Sequence, residues 1–212
     1  MNIFISQLWE NPRFFLSWIL FVVFSVCLHE FMHSFVALKE GDDTAARLGH
    51  LTLNPFRQMG FFSLIMLLLI GICWGRVPVD PRNFRRKYSH LIVSLAGPFT
   101  NFGLFIVFTL ISGLALRLGY GSEDRERFSF FVTMFLNGAV MNMVLFIFNM
   151  LPVPGFDGYS LVENFVPPRF KNTEFFKGAS IIVLMAAFFF SGHLFALSEI
   201  AVFGCIRFIM WL

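Results

Sequence analysis

Long uncharged stretches alternate with short polar stretches along this chain. Residues 14–38, 91–116 and 128–151 carry almost no charge, and each is about 20 residues or longer, which is enough to cross a bilayer as a helix. The residues after 177 divide into two further apolar segments around Ser191-Gly192-His193. The pattern predicts an all-α polytopic membrane protein with about five to six transmembrane helices.

Residues 61–73 form a shorter apolar run. At about 13 residues it suits a re-entrant or interfacial segment better than a full span. If the first helix starts outside and this segment returns to the side it entered, most loop Lys and Arg, including the cluster at 82–87, lie inside. The positive-inside rule favours that arrangement over a full crossing. We therefore expect an integral protein of the cell membrane with residues 39–58 and 76–90 towards the cytoplasm.

The composition excludes an ordinary soluble domain. Hydrophobic residues make up 57% of the chain and charged residues 14%. In soluble domains the hydrophobic fraction is about 45–50% and the charged fraction is about 25%. No basic stripe is interleaved with exposed aromatics, so the expected partner is the lipid bilayer and not a nucleic acid. We expect residues 1–212 to form a single membrane-embedded domain, with a core at about 14–165 and a C-terminal helical hairpin at about 175–212.

The motif His29-Glu30-Phe31-Met32-His33 lies inside the first apolar segment. Histidines at i and i+4 share one helix face, so their imidazoles can bind one metal ion. A glutamate beside the first histidine is the arrangement of zinc hydrolases, in which the carboxylate takes a proton from the attacking water. Burying an ionisable group within a membrane segment costs free energy, so such groups indicate function. The alternative is that the motif arose by chance.

A catalytic zinc needs a third protein ligand, and Asp157 fits best. It follows an apolar segment in the stretch Pro152-Val153-Pro154-Gly155-Phe156-Asp157-Gly158, where the prolines end a helix and the glycines permit tight turns. An interfacial turn with a surface aspartate is the alternative. Four other residues are weaker candidates for the third ligand, and the first of them to test is Glu199. The others are His50, His90 and His193.

Together these stretches resemble the site-2 protease family of intramembrane zinc metalloproteases. HEFMH, LGHLTLNP, VPVDPRNF, VSLAGPFTNF and FNMLPVPGFDGY occur in the family's order. The resemblance implies one Zn²⁺ per chain bound by His29, His33 and Asp157, with Glu30 as general base and acid. It also implies that Asn101 lies near the substrate carbonyl. The chain departs from compact relatives at Gln58 and Met59, and residues 74–78 are one residue shorter than usual.

The resemblance implies a transmembrane protein or peptide as substrate. Such a helix must unwind before attack, because its carbonyls are hydrogen-bonded internally. Edge pairing with an extended segment around residues 77–83 is one way to hold the unwound chain. A zinc-binding scaffold that binds transmembrane segments without cutting is the main alternative, although it would usually have lost one site residue. A zinc transporter is a third alternative. It would need polar groups along a path across the membrane, and the outer half of the predicted membrane segments offers few of them.

Overall fold

The structure, a computed structural model, describes residues 4–119, 125–167, 169 and 173–211. Within these residues the regular structure is helical, with no β-strand. The longer helices are α1 (Pro12–Glu40), α2 (Gly60–Ile70), α3 (Ser89–Leu118), α4 (Arg125–Asn149), α5 (Glu174–Phe189) and α6 (Ser191–Trp211). Short helical turns occur at Phe4–Ser6, Gln7–Glu10, Thr44–Arg47, Pro55–Gln58, Pro81–Asn83, Tyr159–Val162 and Glu163–Phe165. The predicted all-α fold is confirmed.

Four of these helices, α1, α3, α4 and α6, are long and apolar enough to cross a membrane. The short apolar segment at 61–73 contains the 11-residue helix α2. The C-terminal hairpin turns at the predicted place, between α5 and α6, and α5 has 16 residues. Residues 120–124, which lie between the apolar segments 91–116 and 128–151, and residues 168 and 170–172 lie outside the described part. The assignment to a single domain stays a prediction.

Helices α1, α3 and α4 pack together, and α6 packs on α3 and α4. Phe21 of α1 meets Phe108 of α3 edge to face, with ring centroids 5.0 Å apart. A side chain at Gly138 of α4 would strike the Phe21 ring, so this glycine lets the two helices approach closely, as small residues do between membrane helices. Val202 and Ile206 of α6 complete the same buried cluster. The bundle therefore holds α1, which carries both histidines, against α3 and α4.

Helix α1 has clear sequence signals at both ends. Asn11 caps its first turn by accepting a hydrogen bond from the Phe14 amide at 3.1 Å, and Pro12 occupies the first position, where its missing N–H costs nothing. Gly41 ends the helix in the left-handed conformation at φ 108°. Residues 12–40 therefore form one continuous helix that positions His29 and His33 on the same face.

The chain on either side of α2 returns to the C-terminal half of α1. Before α2, the Gln58 side chain donates to the His50 carbonyl at 2.8 Å, and the Ser34 hydroxyl of α1 donates to that same carbonyl. After α2, the Arg85 amide donates to the Glu40 carbonyl at 3.0 Å. Helix α2 and the non-helical residues 71–80 thus make an excursion that starts and ends beside the C-terminal half of α1. The re-entrant course of this segment in a membrane stays a prediction.

Candidate metal centre

Three side chains from distant parts of the chain bring their ligand atoms together beside α1. The Nε2 atoms of His29 and His33 lie 3.0 Å apart. Asp157, in the turn after α4, places Oδ2 3.1 Å from Nε2 of His29 and 3.3 Å from Nε2 of His33. Within the part of the chain that the structure describes, this is the one group of His, Cys and carboxylate side chains close enough to share a metal ion.

The hydrogen bonds of the two imidazoles leave their Nε2 atoms free for a metal. His29 donates from Nδ1 to Oδ1 of Asn101 at 2.6 Å, and His33 donates from Nδ1 to the Val93 carbonyl at 2.7 Å. Because both acceptors carry no hydrogen, the proton of each neutral ring lies on Nδ1 and the lone pair on Nε2. Two lone pairs and a carboxylate oxygen at about 3 Å repel one another unless a cation lies between them.

A buried chain of polar side chains supports His29 from behind. Asn101 of α3 donates from Nδ2 to Oδ1 of Asn142 on α4 at 3.0 Å, and Asn142 donates to the Ser25 hydroxyl of α1 at 2.8 Å. Asn101, Asn142 and Ser25 are all fully buried. The chain joins the three central helices and orients the His29 ring, as partners behind metal ligands commonly do.

The turn after α4 folds back on the end of that helix and so positions Asp157. The Gly158 amide donates to the Asn149 carbonyl at 2.7 Å. A side chain at Gly158 would strike the backbone of Met150, so the close approach requires glycine here. Gly155 adopts φ 99°, which is also a glycine conformation. The proline and glycine pattern that predicted an opened backbone therefore has a direct structural reason.

Gly97 of α3 faces the centre without a side chain. A Cβ built at this position would lie against Nε2 of both His29 and His33, closer than any real contact. The next residue, Pro98, interrupts the hydrogen-bond ladder inside α3. The space beside the two ring nitrogens is therefore kept open by the absence of a Cβ.

Glu30 lines the same cavity as the three side chains of the metal centre. The cavity has a volume of about 600 Å³ and is lined by His29, Glu30, His33 and Asp157. The Glu30 side chain is 8% exposed, and its carboxylate lies against Gly75 of the chain segment after α2, where a Cβ would collide with it. A buried carboxylate therefore shares the cavity with the three side chains of the metal centre.

The segment after α2 passes the cavity as non-helical chain that is anchored on one side. The Trp74 amide donates to the Ser63 hydroxyl at 2.8 Å, and the Arg76 amide donates to the Gln58 carbonyl at 3.1 Å. The Asp80 amide donates to Oδ2 of Asp42 at 2.7 Å. Pro78 has no N–H. The remaining three amides in this stretch have no acceptor among the described residues, and their residues line the cavity: Gly75, Val77 and Val79.

Asp42, just beyond α1, anchors the far end of this segment. Its carboxylate accepts hydrogen bonds from the Asn83 side chain at 2.9 Å and from the amides of Asp80 and Thr44. Burial alone would raise the pKa of Asp42, but these hydrogen bonds hold that pKa below its ordinary value. The ionised Asp42 carboxylate therefore links the end of the helix that carries the histidines to the segment that borders the cavity.

The predicted pairing segment at 77–83 is wrong in its second half. Pro81–Asn83 forms a helical turn instead of a strand, because Asp80 caps it by accepting from the Arg82 amide at 3.1 Å and Pro81 occupies its first position. The Arg82 guanidinium beside Asp80 lowers the pKa of that carboxyl to about 2. The non-helical chain that borders the cavity lies earlier, at residues 72–80.

The weaker third-ligand candidates do not join the cluster. Glu199 is exposed on α6, and His193 lies at the start of α6 against Phe190. His90 lines the cavity but pairs with Glu163 at 3.0 Å. His50 contributes its backbone carbonyl to Ser34 and Gln58. Asp157 is therefore the acidic group that the fold brings to both histidines.

Sequence reasoning missed the supporting residues of the centre. Asn142 gave a usable signal, because an amide inside a membrane-length apolar segment needs a partner. Gly97 gave a weaker one, as a glycine within a predicted helix. The Val93 carbonyl gave none, since a backbone acceptor has no sequence signature.

Comparison with known proteins decides the family. The chain is 42% identical over 159 residues to YwhC of Bacillus subtilis, which is named as a candidate zinc metalloprotease, and the match covers 72% of this chain and 71% of YwhC. The chain belongs to the site-2 protease family of zinc metalloproteases. Rip2 of Mycolicibacterium smegmatis, also named as a candidate zinc metalloprotease, is 33% identical over 152 residues, which cover 68% of this chain and 55% of Rip2. No family model and no solved structure matches the chain.

The site-2 protease assignment implies zinc, and the geometry fits that ion. Zinc bonds of about 2.0–2.1 Å at tetrahedral angles place ligand atoms about 3.3–3.4 Å apart. The observed separations of 3.0, 3.1 and 3.3 Å are close to this value. Two imidazoles and one carboxylate are also a ligand set that catalytic zinc sites use. The space that a Cβ of Gly97 would fill lies beside these atoms, so the residues present suit the ion.

Proposed function

We propose that this site-2 protease relative is an intramembrane endopeptidase that hydrolyses peptide bonds in or near transmembrane segments. One observation carries the proposal: the cluster of His29, His33 and Asp157 shares a cavity of about 600 Å³ with Glu30. Four of the surrounding helices are membrane-length and apolar. A hydrolytic centre within such a bundle acts on a chain that comes from the membrane.

Each polar residue has a place in the proposed reaction. Zinc held by His29, His33 and Asp157 would polarise the scissile carbonyl and lower the pKa of the attacking water. Glu30 accepts the proton of that water and delivers it to the leaving amine. The burial of Glu30 against Gly75 keeps its carboxylate in place during both transfers. Asn101 orients His29, and its proposed hydrogen bond to the substrate oxygen stays a prediction.

The border of the cavity suits an unwound substrate. A helix in a membrane satisfies its own backbone groups, and unwinding exposes carbonyls that water cannot reach. The amides of Trp74, Arg76 and Asp80 are anchored on the protein and Pro78 has no N–H, whereas the amides of Gly75, Val77 and Val79 have no acceptor among the described residues. An extended substrate could pair with these amides as an added strand does at a sheet edge. This arrangement replaces the predicted pairing over 77–83.

We also propose the orientation that the charge pattern predicts. Arg85 and Arg86 lie at the C-terminal end of α1, where both contact Glu40. Basic residues near membrane segments favour the cytoplasmic side. That end of α1, with both ends of the α2 excursion, would then face the cytoplasm, and the protein would lie in the cell membrane with the active site towards the cytoplasm.

The function can be tested with purified protein in lipid vesicles and a panel of single-span model substrates. The wild-type protein should release two fragments whose masses define one cleavage site, and Glu30→Gln should release none. A wild-type protein that contains zinc and binds the substrates but never cuts them would favour the non-cleaving scaffold. The same mass spectra would place the cleaved bond inside or beside the transmembrane segment.

A further inference from the structure

One face of α3 lines the cavity beside the metal centre. His90, Val93, Ser94 and Asn101 all line the cavity, and their spacing along the chain is that of neighbours on a single helix face. Gly97, against which Nε2 of both histidines lies, belongs to the same face. The side chain of Ser94 therefore lies on the cavity side of α3, within one helical turn of Gly97.

Ser94 has the one polar side chain on this face that lacks a partner in the described part of the chain. His90 pairs with Glu163, and Asn101 binds His29 and Asn142. The other hydroxyls of α3 each donate to an acceptor within the protein: Ser89, Thr100, Thr109 and Ser112. Ser94 is half-buried, but its Oγ is accessible. This hydroxyl is therefore free to bind a molecule that enters the cavity.

The metal centre is bordered on two sides by chain segments with different hydrogen-bonding groups. Gly75 of the segment after α2 lies against Glu30, whereas Gly97 of α3 lies against the two histidines. The segment after α2 offers unpaired amides, which can only donate. Helix α3 offers the Ser94 hydroxyl, which can also accept.

An unwound substrate needs both kinds of group. Unwinding a membrane helix exposes N–H donors as well as carbonyl acceptors, and neither kind finds water at this depth. In an extended chain that pairs along one edge, every second residue directs its backbone groups to the opposite edge. A substrate paired with the segment after α2 would therefore need further partners on the side of α3.

We propose that the Ser94 hydroxyl accepts a hydrogen bond from a backbone N–H of the unwound substrate, within about two residues of the scissile bond. This inference rests on the proposed peptidase function. Ser94 precedes Gly97 by three residues of helix, a rise of about 4.5 Å. An extended chain covers that distance in about one or two residues. Ser94 is thus a substrate-binding residue that holds the second edge of the chain beside the bond to be cut.

The test compares Ser94→Ala, which removes the hydroxyl, with Ser112→Ala in the same helix. Ser112 is fully buried, donates to the Phe108 carbonyl at 2.9 Å and does not line the cavity, so its substitution is a matched control. Synthetic transmembrane peptides carry one backbone ester each, at successive positions, because an ester lacks the N–H of an amide. Peptide binding is measured in a Glu30→Gln background, which needs no cleavage, and cleavage is measured separately as kcat/KM.

For the all-amide peptide, Ser94→Ala should lower binding and kcat/KM by about three- to tenfold, the range of one hydrogen bond. Ser112→Ala should leave both unchanged, and zinc content should stay the same in both variants. An ester at one position, within about two residues of the scissile bond, should weaken binding to the protein with Ser94 but not to Ser94→Ala. Esters at the other positions should affect the two proteins equally.

Unchanged binding by Ser94→Ala would overturn the proposal, as would equal effects of every ester on the two proteins. A general loss of packing would give the second of these results, because it does not depend on the position of the ester. If the wild type binds the peptides but cuts none, the peptidase function fails, and the binding series still decides the role of Ser94. A protein that binds none of the peptides would overturn both proposals.

Discussion

The Nδ1–H of His29 donates to Oδ1 of Asn101 across 2.6 Å, and this contact ties a residue of the HExxH helix to the proline-containing helix α3. It fixes the tautomer that leaves the His29 Nε2 lone pair towards Asp157 and His33. Asn101 is itself held by Asn142, so the orientation of the ring depends on all three central helices. Metal binding and the packing of the bundle are therefore coupled.

Replacing Asn101 separates its two possible roles. Asn101→Leu removes the acceptor for His29, and we expect zinc affinity to fall by about 10- to 100-fold, as for other partners of metal ligands. Asn101→Asp keeps an acceptor and should retain most of the zinc affinity. Competition with a chelating dye measures both values. Normal zinc affinity in Asn101→Leu, combined with a loss of about 10²–10³-fold in kcat, would instead indicate a direct contact with the substrate oxygen.

The metal centre predicts about one zinc ion per chain. Elemental mass spectrometry of the purified protein should give this ratio, and Asp157→Ala should lose most of the metal because one of three ligands is gone. Glu199→Ala is the control, since Glu199 is exposed on α6 and outside the cluster. Full zinc content in Asp157→Ala would show that another residue serves as the third ligand.

Glu30→Gln should keep the fold and the zinc but abolish measurable cleavage. The amide matches the carboxylate in size yet cannot accept a proton, and general-base help contributes about 10²–10⁴-fold. Cleavage of a model transmembrane substrate and zinc content are measured on the same preparation. Cleavage by this variant at a rate near that of the wild type would contradict the proposed mechanism.

Gly97→Ala should impair zinc binding although the substitution adds only one methyl group. Its Cβ would press on Nε2 of both His29 and His33, so either the rings or α3 must move. Gly103→Ala, in the same helix, is the matched control because a Cβ there meets no atom within 4 Å. Chelator competition and thermal unfolding of both variants distinguish a local effect on the centre from a loss of stability. Equal zinc affinity in the two variants would contradict the inferred role of Gly97.

The re-entrant topology predicts which loops face the same side. Single cysteines at Arg47, Lys87 and Arg125, all exposed, would be placed in a chain whose native cysteines have been replaced. An impermeant thiol reagent applied to intact cells should label the cysteine at 125 and spare those at 47 and 87. Labelling at 87 but not at 47 would show that α2 crosses the membrane, and the proposed orientation would then have to be redrawn.

Most of the fold was readable from hydropathy alone. The apolar segments at 14–38, 91–116 and 128–151 became α1, α3 and α4. Helices α1 and α3 are two residues longer at each end, whereas α4 starts three residues earlier and ends two residues earlier, before Pro152. This works because a membrane forces every buried backbone group to pair within its own helix, so length and apolar character are sufficient signals. The pairing segment at 77–83 was misjudged because the local capping by Asp80 overrode its extended appearance.

The sequence by itself determined the pairing of His29 and His33, since i and i+4 positions share a helix face whatever surrounds them. It favoured Asp157, more than a hundred residues away along the chain, as the third ligand over the weaker candidates Glu199, His50, His90 and His193, but it did not show how Asp157 reaches the two histidines. Only the packing of α4 and its terminal turn against α1 brings the Asp157 carboxylate within about 3 Å of both histidines. The same holds for Asn142, Gly97 and the Val93 carbonyl, which act on the centre through contacts between helices. Such contacts depend on how helices pack, and the periodicity of a single helix does not encode them.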